Sequence, residues 1–294
     1  MKRIIYITAV LAALAGCSKS NPGADSSDEM QFIPAMPGTK ATDNAFEDGD
    51  KIGVFAVAYE NGKPAPLQIA GNWATNAEAT LNGAKWTVSP TVWWKKEDVK
   101  YDIYAYYPFD SEMESVDDYE FEVLQDQRDK GFTKSDLMWT KTLGISRTET
   151  GVPLNFKHKL SRIDINLIKG EDYEGELPAT AEVRVLNTVT RAILDLESGD
   201  VQKDPYGTEK TILAKKTGLG KYSAIVVPQK LLNQVPILEI IANDVSYLVN
   251  WRFVFESGVR HTIDVTLSSD PNKVVINIGG KIEGWILKRR CAYY

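Results

Sequence analysis

The chain has 294 residues, a formal net charge of −6 at pH 7, a hydrophobic fraction of 43% and two cysteines. An acidic balance excludes the broad basic surface that nucleic-acid binding requires, and two cysteines cannot build a disulfide framework. The length allows two domains, each with its own apolar core.

The first element is an export signal. Lys2 and Arg3 form a positive start, and Ile4 to Ala15 form an apolar run too short to span a bilayer. Leu14-Ala15-Gly16-Cys17 matches a lipobox, so residues 1–16 are expected to be removed and Cys17 to be lipidated, as in a Gram-negative envelope lipoprotein. Removal takes Lys2 and Arg3 and no acid, which moves the formal charge from −6 to −8. Each buried CH₂ contributes about 0.8 kcal/mol, so one acyl chain holds a membrane marginally and several on one residue hold it permanently. Lipidation leaves Cys291 alone, and stability must come from apolar burial. Residues 17–29, mostly Ser, Asn, Gly, Pro and Asp, have little to bury and read as a lipidated flexible tether.

From Met30 onward, short runs of Val, Ile, Tyr, Phe and Trp alternate with Gly, Pro, Asn and Asp, the pattern of many antiparallel strands. Ile52, Val54, Ala56 and Ala58 alternate after Asp48-Gly49-Asp50, and Tyr101, Ile103, Ala105 and Tyr107 alternate before Pro108. In 154–167 the phase slips: Leu154, Phe156, His158 and Leu160 share one parity and Ile163, Ile165 and Leu167 the other. A β-bulge near Ser161 accounts for this. Gly170, Gly175 and Pro178 mark 170–180 as a linker between an N-terminal β-sandwich at 30–169 and a C-terminal one at 181–294. Tyr222, Ala224 and Val226 alternate before Pro228 in the second portion. Tyr247, Val249, Trp251, Phe253 and Phe255 share one strand face, and the turn Glu256-Ser257-Gly258 leads into Ile263, Val265 and Leu267, which makes a hairpin. Val274, Ile276 and Ile278 repeat the alternation.

Chemistry-bearing motifs are absent from this pattern: there is no G-x-S-x-G, H-E-x-x-H, phosphate loop or C-x-x-C. His158 and His261 sit inside strand patterns and read as structural. Glu47-Asp48-Gly49-Asp50 lacks the later bidentate acid of a calcium loop and reads as a solvated turn. Trp93, Trp94, Tyr101, Tyr104, Tyr106 and Tyr107 are adjacent or nearly so, which directs some rings outward, and Trp93 and Trp94 are candidate ligand-binding aromatics.

Several phrases resemble the fimbrillin family, the lipoprotein-derived subunits of type V pili with their anchor and tip relatives. They run in order: Phe46-Glu47-Asp48-Gly49-Asp50-Lys51-Ile52-Gly53-Val54-Phe55-Ala56, Tyr101-Asp102-Ile103-Tyr104-Ala105-Tyr106-Tyr107-Pro108 and Lys134-Ser135-Asp136-Leu137-Met138-Trp139. Phe156-Lys157-His158-Lys159-Leu160-Ser161-Arg162-Ile163 and Ala224-Ile225-Val226-Val227-Pro228-Gln229 follow.

The resemblance implies an all-β chain of two tandem transthyretin-like sandwiches, with no catalysis, cofactor or metal. It implies a structural, anchor or tip component of a pilus, carried as an outer-membrane lipoprotein to the cell surface or fimbrium. In such a family a protease removes the N-terminal strand and a neighbouring subunit's strand fills the groove, an assembly by β-strand addition. Lys40 occupies the loop where the family's trimming site is usually an arginine. Val274, Ile276, Ile278, Ile282 and Trp285 are the candidate donor strand. Expected partners are other pilus subunits, the membrane through the lipid, and a host or bacterial surface ligand. The alternative is a non-polymerising surface lipoprotein that captures glycan or another ligand through exposed aromatics. Cys17→Ala should leave folding intact and abolish membrane retention, with fatty-acid labelling confined to the wild type; equal labelling of the variant contradicts the lipoprotein reading.

Overall fold

The computed structural model describes residues 28–36, 45–95, 98–283 and 286–288. Cys17, Lys40, Trp285 and Cys291 lie outside them. The described residues are all-β apart from one four-residue α-helical turn, α1 (Gly131–Lys134).

Before that turn come β1 (Phe32–Ala35), β2 (Lys51–Glu60), β3 (Lys63–Pro64), β4 (Ala74–Asn82), β5 (Lys85–Ser89), β6 (Tyr101–Tyr107) and β7 (Tyr119–Glu122). After it come β8 (Met138–Ile145), β9 (Val152–Asn155) and β10 (Lys157–His158). The strands β10, β8, β6, β2, β4 and β5 lie side by side in one sheet, and β3 folds back on the end of β2. The pair β1 and β9 forms a separate, parallel two-stranded layer.

Both faces of the central strands β2 and β6 are covered. Ile52, Val54, Ala56, Ile103 and Ala105 face a core shared with Met30, Phe32, Val152 and Leu154. Phe55, Val57, Tyr104 and Tyr106 face a larger core that continues into the C-terminal portion. Tyr101, Tyr104, Tyr106 and Tyr107 are therefore all buried, against the expectation that adjacent rings on a strand direct some outward. That expectation assumed one wet face. Gly53 pairs with Tyr106, and a β-carbon there would come within 2.1 Å of its ring, so glycine is what allows the ring to cross β2.

The C-terminal portion comprises β11 (Ser161–Lys169), β12 (Glu182–Val189), β13 (Arg191–Leu194), β14 (Val201–Lys203), β15 (Glu209–Leu213) and β16 (Lys215–Gly218). It continues with β17 (Lys221–Val226), β18 (Gln229–Ala242), β19 (Val245–Phe255), β20 (Val259–Leu267), β21 (Val275–Glu283) and β22 (Ile286–Lys288). One sheet runs β16-β17-β11-β20-β21-β22 and a second β15-β12-β18-β19. A third, β14-β13-β7, takes its last strand from the N-terminal portion. A further tie is Gln127, fully buried, whose side-chain N–H donates to the Ile225 carbonyl at 2.7 Å and whose oxygen accepts from the Ile225 N–H at 2.7 Å.

Two sequence expectations change here. Strand β11 does not belong with the N-terminal strands, because it pairs antiparallel with β17 on one side and parallel with β20 on the other. The phase slip between His158 and Ile163 is no bulge: β10 ends at His158 paired to β8, and β11 starts at Ser161 in another sheet. The chain changes sheets across Lys159 and Leu160, so each parity refers to a different core. The alternation in β19 holds, with Tyr247, Val249, Phe253 and Phe255 buried, Trp251 partly so, and Leu248 and Val254 exposed.

The β19–β20 hairpin buries His261 against Phe253 and Phe255, at ring-centroid distances of 5.0 and 6.4 Å. Burial among these rings pushes the imidazole down to about 4. The folded state holds this group neutral while the unfolded chain binds a proton below the ordinary histidine value. Its contribution is full above about pH 6.5 and is lost as pH falls toward 4, by up to about 3 kcal/mol. Urea titrations from pH 7 to 4 should show a shallower stability loss in His261→Phe than in wild type; parallel curves would contradict a neutral buried imidazole.

Candidate strand-exchange groove

The N-terminal segment is held on two sides. At its start, the Met30 N–H donates to the Val92 carbonyl and the Trp94 N–H to the Asp28 carbonyl, each at 2.8 Å. Arg147 forms an ion pair with Asp28. Further along, β1 runs parallel to β9 in the register Phe32 to Val152 through Ala35 to Asn155. The Val152 N–H donates to Gln31 at 2.8 Å and the Phe156 N–H to Ala35 at 2.9 Å, which continues the ladder beyond both strand ends. Gly151, at φ +81°, turns the chain into β9, and Ile33 lies 3.0 Å from where its β-carbon would be.

Period-two alternation decides which side chains matter. Met30 and Phe32 point inward and are buried, whereas Ile33 is 50% exposed. Met30 and Phe32 fill the space between the β1/β9 layer and the sheet face carrying Ile52, Val54, Ile103 and Met138. Burial of two such side chains is worth about 3–6 kcal/mol together, a large part of the usual stability of one domain. The geometry is that of an extended plug: backbone ladders fix direction and register, and alternate side chains fill pockets.

The remaining predicted residues are dispersed. Lys40 falls between Met36 and Ala45, outside the described residues. Val274 and Ile276 are partly buried against the larger core, in and just before β21. Ile278 and Ile282 are described through their backbone pairing, with Ile263 and Arg260 of β20; Cys17 and Trp285 lie outside. Trp93 is 39% exposed, but Trp94 is 5% exposed and packs edge-on against Tyr101 at 5.5 Å, so Trp94 is a core residue and not a ligand aromatic. Adjacent residues on an extended chain cannot both face solvent where one side is covered.

His158 is buried, with Nδ1 at 2.8 Å from Asp136 Oδ1. In the acidic turn the Glu47 N–H donates to Asp50 Oδ2 at 2.7 Å, and Asp48 Oδ1 accepts from the Gly83 N–H at 2.6 Å. Among the described residues no group of three or more His, Cys, Asp or Glu is arranged to hold a metal ion. Sequence reasoning missed the parallel partner 152–155, whose only signal was the alternation of Val152 and Leu154, and missed the exposed Trp73, which follows the Gly71-Asn72 turn.

Residues 39–285 match the Fimbrillin-like family, and the chain belongs to it. It is 26% identical over 194 residues to a Bacteroides ovatus protein named as a fimbrium tip subunit, Fim1C; the match spans 57% of this chain and 35% of that protein. Its fold is shared with a Bacteroides uniformis protein described as a cell adhesion protein, at TM-score 0.66 and 19% identity over 89% of this chain and 100% of the other. A second protein so described, from Bacteroides ovatus, gives TM-score 0.67 and 17% identity over 88% and 98%.

The alternation generates a paired prediction. Phe32→Ala should destabilise the protein by about 3–5 kcal/mol, whereas Ile33→Ala should stay within about 0.5 kcal/mol. Chemical denaturation checks both, and equal losses would mean that the inward face of β1 is assigned wrongly.

Proposed function

We propose that this chain is a fimbrillin-like, lipid-anchored protein of the outer membrane and fimbrium, a stalk, anchor or tip subunit of an adhesive pilus assembled by β-strand addition. The observation that carries the reading is β1. It forms a separate parallel layer whose backbone pairs with β9, and its Phe32, with Met30 just before it, is held by non-covalent contact in the core lined by Ile52, Val54, Ile103 and Met138. Cleavage after Lys40 would disconnect it from β2 while leaving its pockets intact. A strand of matching alternation from another subunit then gains the same ladder and the same pockets.

The proposed donor is the stretch from Lys273 to Trp285 of a neighbouring subunit, with Val274, Ile276, Ile278, Ile282 and Trp285 as its apolar positions. Support comes from the partial burial of Val274, just before β21, and of Ile276 within it, compared with fully buried Val265 on β20. Head-to-tail donation does not close on itself and extends a fibre. The role asks for no bond-making step, and the buried settings of His158 and His261 suit packing.

Treatment with a protease that accepts lysine, followed by size chromatography, tests this. Cleavage after Lys40 should give oligomers from the wild type, none from Lys40→Gln, and none from a variant truncated at Lys273. A cleaved and stable monomer rejects polymerisation and leaves a non-polymerising surface lipoprotein.

A further inference from the structure

The end of the N-terminal sheet near Glu60 carries a recess of about 180 Å³ whose wall is Trp73. Trp73 is 41% exposed, unusual for a side chain whose burial alone would be favourable. Its orientation is fixed. The indole N–H donates to the Trp93 carbonyl at 2.7 Å, and its ring lies 6.3 Å from that of buried Tyr101. The loop before it is tied by Asn72, whose Oδ1 accepts from the Gln68 N–H at 3.1 Å and whose side-chain N–H donates to Thr75 Oγ1 at 3.3 Å. Because the N–H is already used, the ring offers its face.

That face attracts positive charge: the Lys95 ammonium stands 4.8 Å from the ring centroid. The C–H face of a sugar ring carries the same partial sign, and the flexible lysine stem can swing aside and donate to a ring hydroxyl. The exposed Glu60 carboxylate and Gln68 carboxamide line the same recess and suit vicinal hydroxyls. We infer that the recess binds one neutral sugar ring of a surface glycan, stacked on Trp73 and hydrogen-bonded by Glu60, Gln68 and Lys95. Glu60 and the net charge of −6 disfavour an acidic sugar, and the recess is too small for a peptide strand.

Its position suits outward presentation. Asp50, just before β2, lines a cavity with Arg162 and Lys215 of the C-terminal portion, whereas Glu60 ends β2, about 30 Å away along ten residues of strand. The site lies at the other end of β2 from that cavity, and because its anchor, the Trp93 carbonyl, sits in a segment that pairs with residues 28–30, it is tested on the uncleaved chain.

Saturation-transfer NMR and tryptophan fluorescence titration of the purified chain test the inference. The probes are the methyl glycosides of glucose, galactose, mannose and N-acetylglucosamine, with glucuronate and N-acetylneuraminate alongside. At least one neutral glycoside should bind saturably. Trp73→Ala should weaken it more than about tenfold and Glu60→Gln several-fold, with Trp73→Phe retaining partial affinity if the alanine variant unfolds. Tyr206→Ala, at a residue 90% exposed, should bind as wild type. Binding of acidic sugars alone, of no neutral glycoside, or undiminished binding by folded Trp73→Ala or Trp73→Phe overturns it. Oligomer formation after cleavage reads the pilus function separately.

Discussion

The arrangement of the N-terminal portion depends on one non-covalent seal, the burial of Met30 and Phe32 beneath the β1/β9 layer. The sheet face carrying Ile52, Val54, Ala56 and Ile103 is apolar, and without a cover it would stand exposed to water. Four residues of strand and one extra anchor supply part of that cover. A parallel partner cannot arrive through a tight turn, so the covering strand must come from far along the chain or from another molecule. Position 32 meeting position 152 is the intramolecular answer.

The second constraint is that the central sheet is buried twice. Its other face, with Phe55, Tyr104, Tyr106 and Trp139, packs into the core that also holds Ile163, Leu194 and Ile225. Strand β7 and Gln127 fasten this junction with backbone and side-chain hydrogen bonds, and the Trp139 indole N–H donates to the Leu196 carbonyl at 2.8 Å. Interlocking segments of this kind stiffen the contact between the two portions in the way that a large apolar interface does. Loss of β1 would therefore open one face of the sheet while the other stays anchored.

The class of fold was legible because strand alternation is local: β19, β20 and the β2–β6 pattern follow from side-chain period alone. Partnership was not legible, since the phase slip at 154–167 has two causes, a bulge or a change of sheet, that produce the same parity. Some of the motif phrases mark such changes and others a close packing contact. Asp136 meets His158 where the chain leaves one sheet. Gln229, after Pro228, holds the Val189 N–H and carbonyl, each at 3.0 Å. Gly53 makes room for Tyr106. Of Trp93 and Trp94, read as a pair, Trp93 is exposed and Trp94 is core, while Trp73 was not singled out because it lies in a turn whose hydrogen bonds only the structure shows.

In the proposed assembly the contest between β1 and a donor is one of effective concentration as much as contacts. While joined to β2, the short strand rebinds intramolecularly and its few anchors suffice. Once the connection is cut, β1 must compete as a separate peptide with two main apolar anchors, Met30 and Phe32. The stretch from Lys273 to Trp285 carries apolar residues at 274, 276, 278, 282 and 285 and remains attached to a folded subunit. In the proposal the donor displaces β1 only after the tether to β2 is lost, so cleavage sets the direction of exchange. The cost is withdrawal of β21 from its ladder with β20, which runs from Thr266 opposite Val275 to Val259 opposite Glu283, and the proposed exchange proceeds only where filling the apolar groove returns more than this ladder and its partly buried Ile276 give up.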